Sequence, residues 1–127
     1  MSGIISHMSK VLLATDSDET AEETFAALSS NETIVSRVTR GEDVRSVAAE
    51  LEPDLVILDL QIGNMGGGAA RLDLRHEITA GRLKPLKILL LLDREADTWI
   101  ATEAKADSEL VKPLNALRLR KLAKSLL

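Results

Sequence analysis

The residues able to do chemistry in this sequence stand at the ends of short apolar runs. Leu55-Val56-Ile57-Leu58 stops abruptly at the carboxylate of Asp59, followed by Leu60, Gln61 and a turn containing Gly66, Gly67 and Gly68. Ile88 to Leu92 stops at Asp93, Lys10 to Ala14 at Thr15-Asp16-Ser17-Asp18, and Glu109-Leu110-Val111 at Lys112-Pro113. In open α/β sheets, ligands bind outside the carboxyl ends of the strands. Asp59 at such an end would either face a ligand or cap the turn that follows, and this stretch alone supports both readings. The glycines are not followed by a Walker-type Gly-Lys-Ser/Thr, which argues against nucleotide binding by that route. The chain has no cysteine, so disulfides, thiolate catalysis and Cys-type zinc sites are excluded.

The elements that must position these residues follow from hydrophobic patterning. Four consecutive apolar residues between turn signals suit a parallel strand buried on both faces. Strands are expected at Lys10–Ala14, Thr33–Val38, Leu55–Leu58, Ile88–Leu92 and Glu109–Val111. Helices are expected at Glu19–Leu28, Glu42–Leu51, Ala69–Arg82, Ala96–Ala106 and Leu114–Leu127. Glu19, Glu22 and Glu23 favour the N-terminus of the first helix, which Thr15 to Asp18 would cap, with Asp18 as a cap residue. Phe25 and Leu28 would face inward there, Val44, Val47, Ala48 and Leu51 in the second helix, and Leu117, Leu122 and Leu126 in the last. A strand–helix alternation repeated five times implies a parallel sheet covered on both faces, and right-handed crossovers make it doubly wound.

Bulk properties fit one soluble domain. The 127 residues are 45% apolar and 28% charged, with a net charge of −4. Phe25 and Trp99 are the only aromatics, so the core must be aliphatic and base stacking is largely excluded as a binding mode. Mild acidity argues against direct nucleic-acid binding, and no apolar run approaches a membrane span. Met1 to His7 lacks periodicity; residues 1–8 read as a cloning remnant or a disordered N-terminus, with no function for His7. His76 and the basic run Arg118, Arg120, Lys121 and Lys124 read as solvated helix faces. Trp99 either marks an exposed interface or fills a core gap.

With five βα units in place, the sequence resembles the receiver domain of two-component response regulators, the CheY-like form of the flavodoxin-like fold, over Lys10 to Leu127. The resemblance rests on Asp59 ending the third strand, Met65 and Gly67 in the turn after it, Lys112-Pro113 after the fifth, and the Asp59–Lys112 spacing. Asp59 to Gly67, with Leu92-Asp93-Arg94, also looks like a group of small actinobacterial single-domain receivers. The resemblance implies a (βα)5 fold with strand order 2-1-3-4-5, residues 9–127 forming the receiver domain, either stand-alone or cut from a longer protein. It implies that Asp59 accepts a phosphoryl group from a sensor histidine kinase or phosphotransfer protein in the cytoplasm. Mg2+ would be held by Asp16, Asp59 and the carbonyl of Gln61. Lys112 would pair with a phosphate oxygen, aimed by a cis bond before Pro113. The fourth and fifth helices would offer a surface for homodimers and partners, with Trp99 on it. Such a domain is a phosphoacceptor in signalling, not an enzyme beyond self-catalysed phosphotransfer and autodephosphorylation.

Three positions depart from the family pattern. Receivers commonly carry two adjacent acids after the first strand; here the first is Thr15, leaving Asp16 alone. Asp93, or Leu92 one residue earlier, stands where a switch Thr or Ser is usual, and Glu109 lies near the position of an aromatic. The common hydroxyl–aromatic switch therefore cannot operate in its usual form. The alternative to a phosphorelay role is a pseudo-receiver, a phosphorylation-independent interaction module. A flavodoxin-like cofactor binder is disfavoured because aromatics able to sandwich a flavin are absent.

Overall fold

The structure, a computed structural model, describes residues 8–62, 67–104 and 106–127. The strands are β1 (Ser9–Ala14), β2 (Thr33–Val38), β3 (Leu55–Asp59), β4 (Lys87–Leu92) and β5 (Ser108–Val111). The helices are α1 (Asp18–Leu28), α2 (Val44–Leu51), α3 (Gly67–Thr79), α4 (Thr98–Ala104) and α5 (Ala116–Leu126). All strand pairs are parallel, in the order β2-β1-β3-β4-β5. The expected doubly wound sheet is therefore present. Met1 to His7, and Met65 in the turn after β3, lie outside the described residues.

Period-two alternation explains why the strands read as unbroken apolar runs. Leu12, Ala14, Val56, Leu58, Leu90 and Leu92 pack on one face with Val44 and Ala48 of α2, Ala70 and Leu74 of α3, and Ala101 of α4. Val11, Leu13, Leu55, Ile57, Leu89 and Leu91 pack on the other, under Ala21, Ala27 and Leu28 of α1 and Leu119 and Ala123 of α5. Both faces need apolar side chains, so neither parity can be polar. Each fully buried Leu or Ile contributes about 1.5–3 kcal/mol relative to exposure. Aliphatic burial thus supplies the core that aromatics cannot.

Local chemistry sets the helix ends, with some differences from expectation. Ser17, not Asp18, caps α1: its hydroxyl accepts the Thr20 amide at 3.2 Å. Asp18 instead opens the helix and pairs with Arg37 at 2.9 Å. Short 3-10 turns at Gly41–Asp43 and Glu95–Asp97 lead into α2 and α4; these turns carry no periodic signal. Asn115 caps α5 by accepting the Arg118 amide at 3.0 Å. On the helix that follows, Leu119 and Ala123 are buried against the sheet, while Leu117, expected inward, is 56% exposed. Leu122 and Leu126 do pack against the core, as expected.

Candidate functional site

The register carries the polar strand-end residues to one rim of the sheet. Ala14 pairs with Leu58, so Thr15 lies beside Asp59. Leu92 pairs with Val111, so Asp93 lies beside Lys112. Main-chain bonds hold this alignment beyond the strands: the Lys112 amide donates to the Leu92 carbonyl at 2.8 Å, and the Leu60 amide to the Leu91 carbonyl at 2.9 Å. Leu92 itself is fully buried. Asp93, not Leu92, is thus the β4-end residue that reaches the site.

Asp59 is 1% exposed, and both of its carboxylate oxygens are engaged. Oδ2 accepts the Thr15 hydroxyl at 2.7 Å. Oδ1 accepts Lys112 Nζ at 2.8 Å and the Gln61 amide at 3.2 Å. Removing a carboxylate from water costs several kcal/mol unless ion pairing and hydrogen bonds replace its hydration. Here an ammonium, a hydroxyl and an amide do so. Thr15 is itself fully buried; its oxygen also accepts the Ser17 amide at 3.1 Å, so the α1 cap and the site share one loop.

Lys112 Nζ donates a second bond, to Asp93 Oδ1 at 3.1 Å. Burial disfavours the Lys112 charge, but hydrogen bonding and attraction to Asp59 and then Asp93 outweigh it, raising its pKa above the ordinary lysine value. The Lys112–Pro113 bond is cis. Asp16 follows Thr15 on the exposed side of the rim. The carboxylates of Asp16 and Asp59 and the carbonyl of Gln61 are hard oxygen donors, and magnesium is commonly held by one or two carboxylates with water and substrate phosphate. This donor set suits that ion. Among the described residues, no group of three or more His, Asp or Glu forms a ready-made metal cage.

The remaining candidates lie outside the cluster. Trp99 is 64% exposed on α4, so it does not fill a core gap. His76 on α3 and the basic side chains of α5 are exposed. Arg120 also has a structural bond, from Nε to the Ala27 carbonyl at 3.1 Å. The direct Thr15–Asp59 bond was not expected from the sequence, because strand register, not spacing, creates it. Asp97 beside α4, which is buried and accepts Arg94 at 3.1 Å, was also not expected, although that pair is local, three residues apart in the turn. An Arg three residues before an Asp was the only available signal.

Comparisons with known proteins bear on the fold and the family. The receiver-domain family of response regulators matches residues 11–124. A comparison with curated proteins by sequence returns no match. Among solved structures, Vibrio cholerae chemotaxis protein CheY4 is similar, with TM-score 0.81 and 24% identity over 94% of this chain and 99% of that one. A CheY-like receiver domain from Methylobacillus flagellatus gives TM-score 0.80 and 22% identity, covering 94% and 99%. The receiver domain of a Syntrophus aciditrophicus signal transduction histidine kinase gives 0.79 and 24%, covering 93% and 89%. At these identities the structural likenesses establish the fold, and the match along nearly the whole chain establishes the family. The chain belongs to the response regulator receiver domains, which are signalling domains.

Proposed function

We propose that Asp59 is the phosphoacceptor of this receiver and that residues 9–127 form the signalling unit. The observation that carries the reading is a buried carboxylate at the end of β3, bonded at 2.8 Å to a lysine that follows β5 and reaches across β4. An Asp59 carboxylate oxygen would attack the phosphorus of a phosphohistidine on a sensor kinase or phosphotransfer protein. The new O–P bond forms as the P–N bond breaks, and the electron pair leaves on the imidazole nitrogen. Two anions must approach each other in this step, and the Lys112 ammonium reduces their repulsion and stabilises charge on the transferring group. Asp16, Asp59 and the Gln61 carbonyl would hold Mg2+, which when bound neutralises phosphoryl charge. Thr15 fixes the Asp59 carboxylate through Oδ2.

The product is an acyl phosphate on the domain itself, so the role is signalling and not turnover; self-catalysed attack of water on the phosphorus, releasing inorganic phosphate and the free Asp59 carboxylate, returns the resting state. A kinase or phosphotransfer protein is the upstream partner. Trp99 on α4 supports a partner or homodimer surface along α4 and α5, because exposed tryptophans often anchor interfaces. Among the described residues, no helix is long and apolar enough to cross a membrane, and we place the domain in the cytoplasm beside its kinase. Direct nucleic-acid binding is not expected of a chain with net charge −4.

The test is incubation with a small-molecule phosphodonor and Mg2+, read as intact mass for wild type and Asp59→Asn. One phosphoryl adduct, absent from the variant, supports the reading. No adduct on wild type, with no Mg2+ or beryllofluoride binding, would favour an interaction module that works unphosphorylated.

A further inference from the structure

The Asp93 carboxylate sits where a receiver usually places a neutral hydroxyl, and it shares one ammonium with the proposed phosphoacceptor. Lys112 Nζ lies 2.8 Å from Asp59 Oδ1 and 3.1 Å from Asp93 Oδ1. The two carboxylates are unequal: the Asp59 side chain is 1% exposed and the Asp93 side chain 36%. Asp93 can therefore exchange its lysine for water at little cost, whereas Asp59 cannot.

We infer that Asp93 is a positioning residue and a built-in competitor for Lys112, whose release when Asp59 is phosphorylated frees the turn leading into α4. This rests on Asp59 being the phosphoacceptor. A phosphoryl group on Asp59 places additional negative charge beside Lys112. It draws the ammonium fully to itself and repels the Asp93 carboxylate, which already borders solvent. What Asp93 tethers follows directly in sequence. Arg94 pairs with the buried Asp97 at 3.1 Å in the turn that begins α4, and Trp99 lies at the start of that helix.

The space for such a shift exists. A cleft of about 440 Å³ separates this turn from β5 and α5, lined by Asp93, Arg94, Thr98, Glu109, Lys112 and Arg118. Glu109, one of the lining residues, has its Oε2 buried without a hydrogen-bond partner, a polar atom that the resting arrangement leaves unsatisfied. The Lys112–Asp93 pair thus replaces the missing hydroxyl as the link between site and surface, with charge competition in place of a neutral hydrogen bond.

Trp99 is the only tryptophan, so its fluorescence reports on this turn. The experiment titrates the full chain with beryllofluoride, a phosphoryl analogue, in Mg2+. It follows Trp99 emission and bound-state affinity for wild type, Asp93→Asn and Asp93→Ser, at low and high salt. Wild type is expected to bind with a clear emission change. Both variants should bind roughly three- to tenfold tighter with a much smaller change, and high salt should narrow the affinity gap, as screening of a charge effect requires. Variants matching wild type in affinity and emission, or binding more weakly, would overturn the role of Asp93 while leaving Asp59 intact. Absence of both beryllofluoride binding and phosphoryl adduct in wild type would overturn the Asp59 reading, and this one with it.

Discussion

The Thr15 hydroxyl donates to Asp59 Oδ2 at 2.7 Å across the β1–β3 register, so a neutral side chain grips the buried carboxylate where the family commonly has an acid. This exchange lowers the negative charge available to a cation. Thr15→Asp should raise Mg2+ affinity by roughly tenfold or more, since an added carboxylate a few ångströms from a divalent ion is worth at least 1 to 2 kcal/mol even when well screened. Without Mg2+ the variant should melt lower than wild type, because Asp59 and the new acid repel each other. Calorimetric titration and thermal melts with and without Mg2+ check both effects; unchanged Mg2+ affinity would remove Thr15 from the account of the site.

Removing the hydroxyl without adding charge separates its structural part. Thr15→Val leaves Asp59 Oδ2 and the Ser17 amide short of a partner. The expected loss is about 1–3 kcal/mol per buried group left unsatisfied, read by urea unfolding.

Lys112 and Asp59 should be energetically coupled. Lys112→Ala takes the cation from a carboxylate that is 1% exposed, which should cost on the order of 3 kcal/mol. In an Asp59→Asn background the same change should cost much less. A double-mutant cycle is expected to return a coupling of about 1–3 kcal/mol; a value near zero would mean solvent, not Lys112, compensates the charge.

The phase of α5 is testable by contrast. Leu119→Ala should destabilise by about 2–5 kcal/mol as a core truncation. Leu117→Ala, at a side chain 56% exposed, should stay within about 0.5 kcal/mol. Equal losses would place both side chains in the core.

Acid stability should depend on the end of α3. Arg82 donates to both oxygens of Glu77, at 2.7 and 3.1 Å. This hydrogen bonding, with the nearby Arg82 and Arg45 charges, holds the Glu77 carboxyl below its ordinary value of 4.5. A depressed carboxyl contributes stability that is present above the unfolded value and lost as pH falls through the folded one. Glu77→Gln should therefore melt below wild type near neutral pH, and the two curves should converge in acid.

The sequence makes the sheet legible because parallel strands buried on both faces cannot alternate: Leu55 to Leu58 and Ile88 to Leu92 have no other simple reading. Asp59, Lys112 and Asp93 were recognisable as strand-end residues. That the Lys112 ammonium joins both carboxylates was not, because it depends on the strand order and on register across 53 residues of chain. The inner stripe of α5 was misjudged at Leu117 because Arg118, Leu119 and Arg120 mix charge and leucine, so composition alone does not mark the stripe that packs on the sheet, Leu119, Leu122, Ala123 and Leu126. The 3-10 turn before α4 was invisible for a related reason: Arg94 and Asp97 stabilise it by one ion pair, which no hydrophobic period reveals.

The shared cover of α1 and α5 over one sheet face has a consequence for chain synthesis. Val11, Leu13, Leu55 and Ile57, all near the start or middle of the sequence, await Leu119 and Ala123 near its end. As the domain emerges from the ribosome, α1 can cover only its share of that aliphatic face, and the rest stays bare until α5 appears. A nascent or truncated chain that stops before Leu119 would expose a sticky sheet surface of the kind chaperones bind.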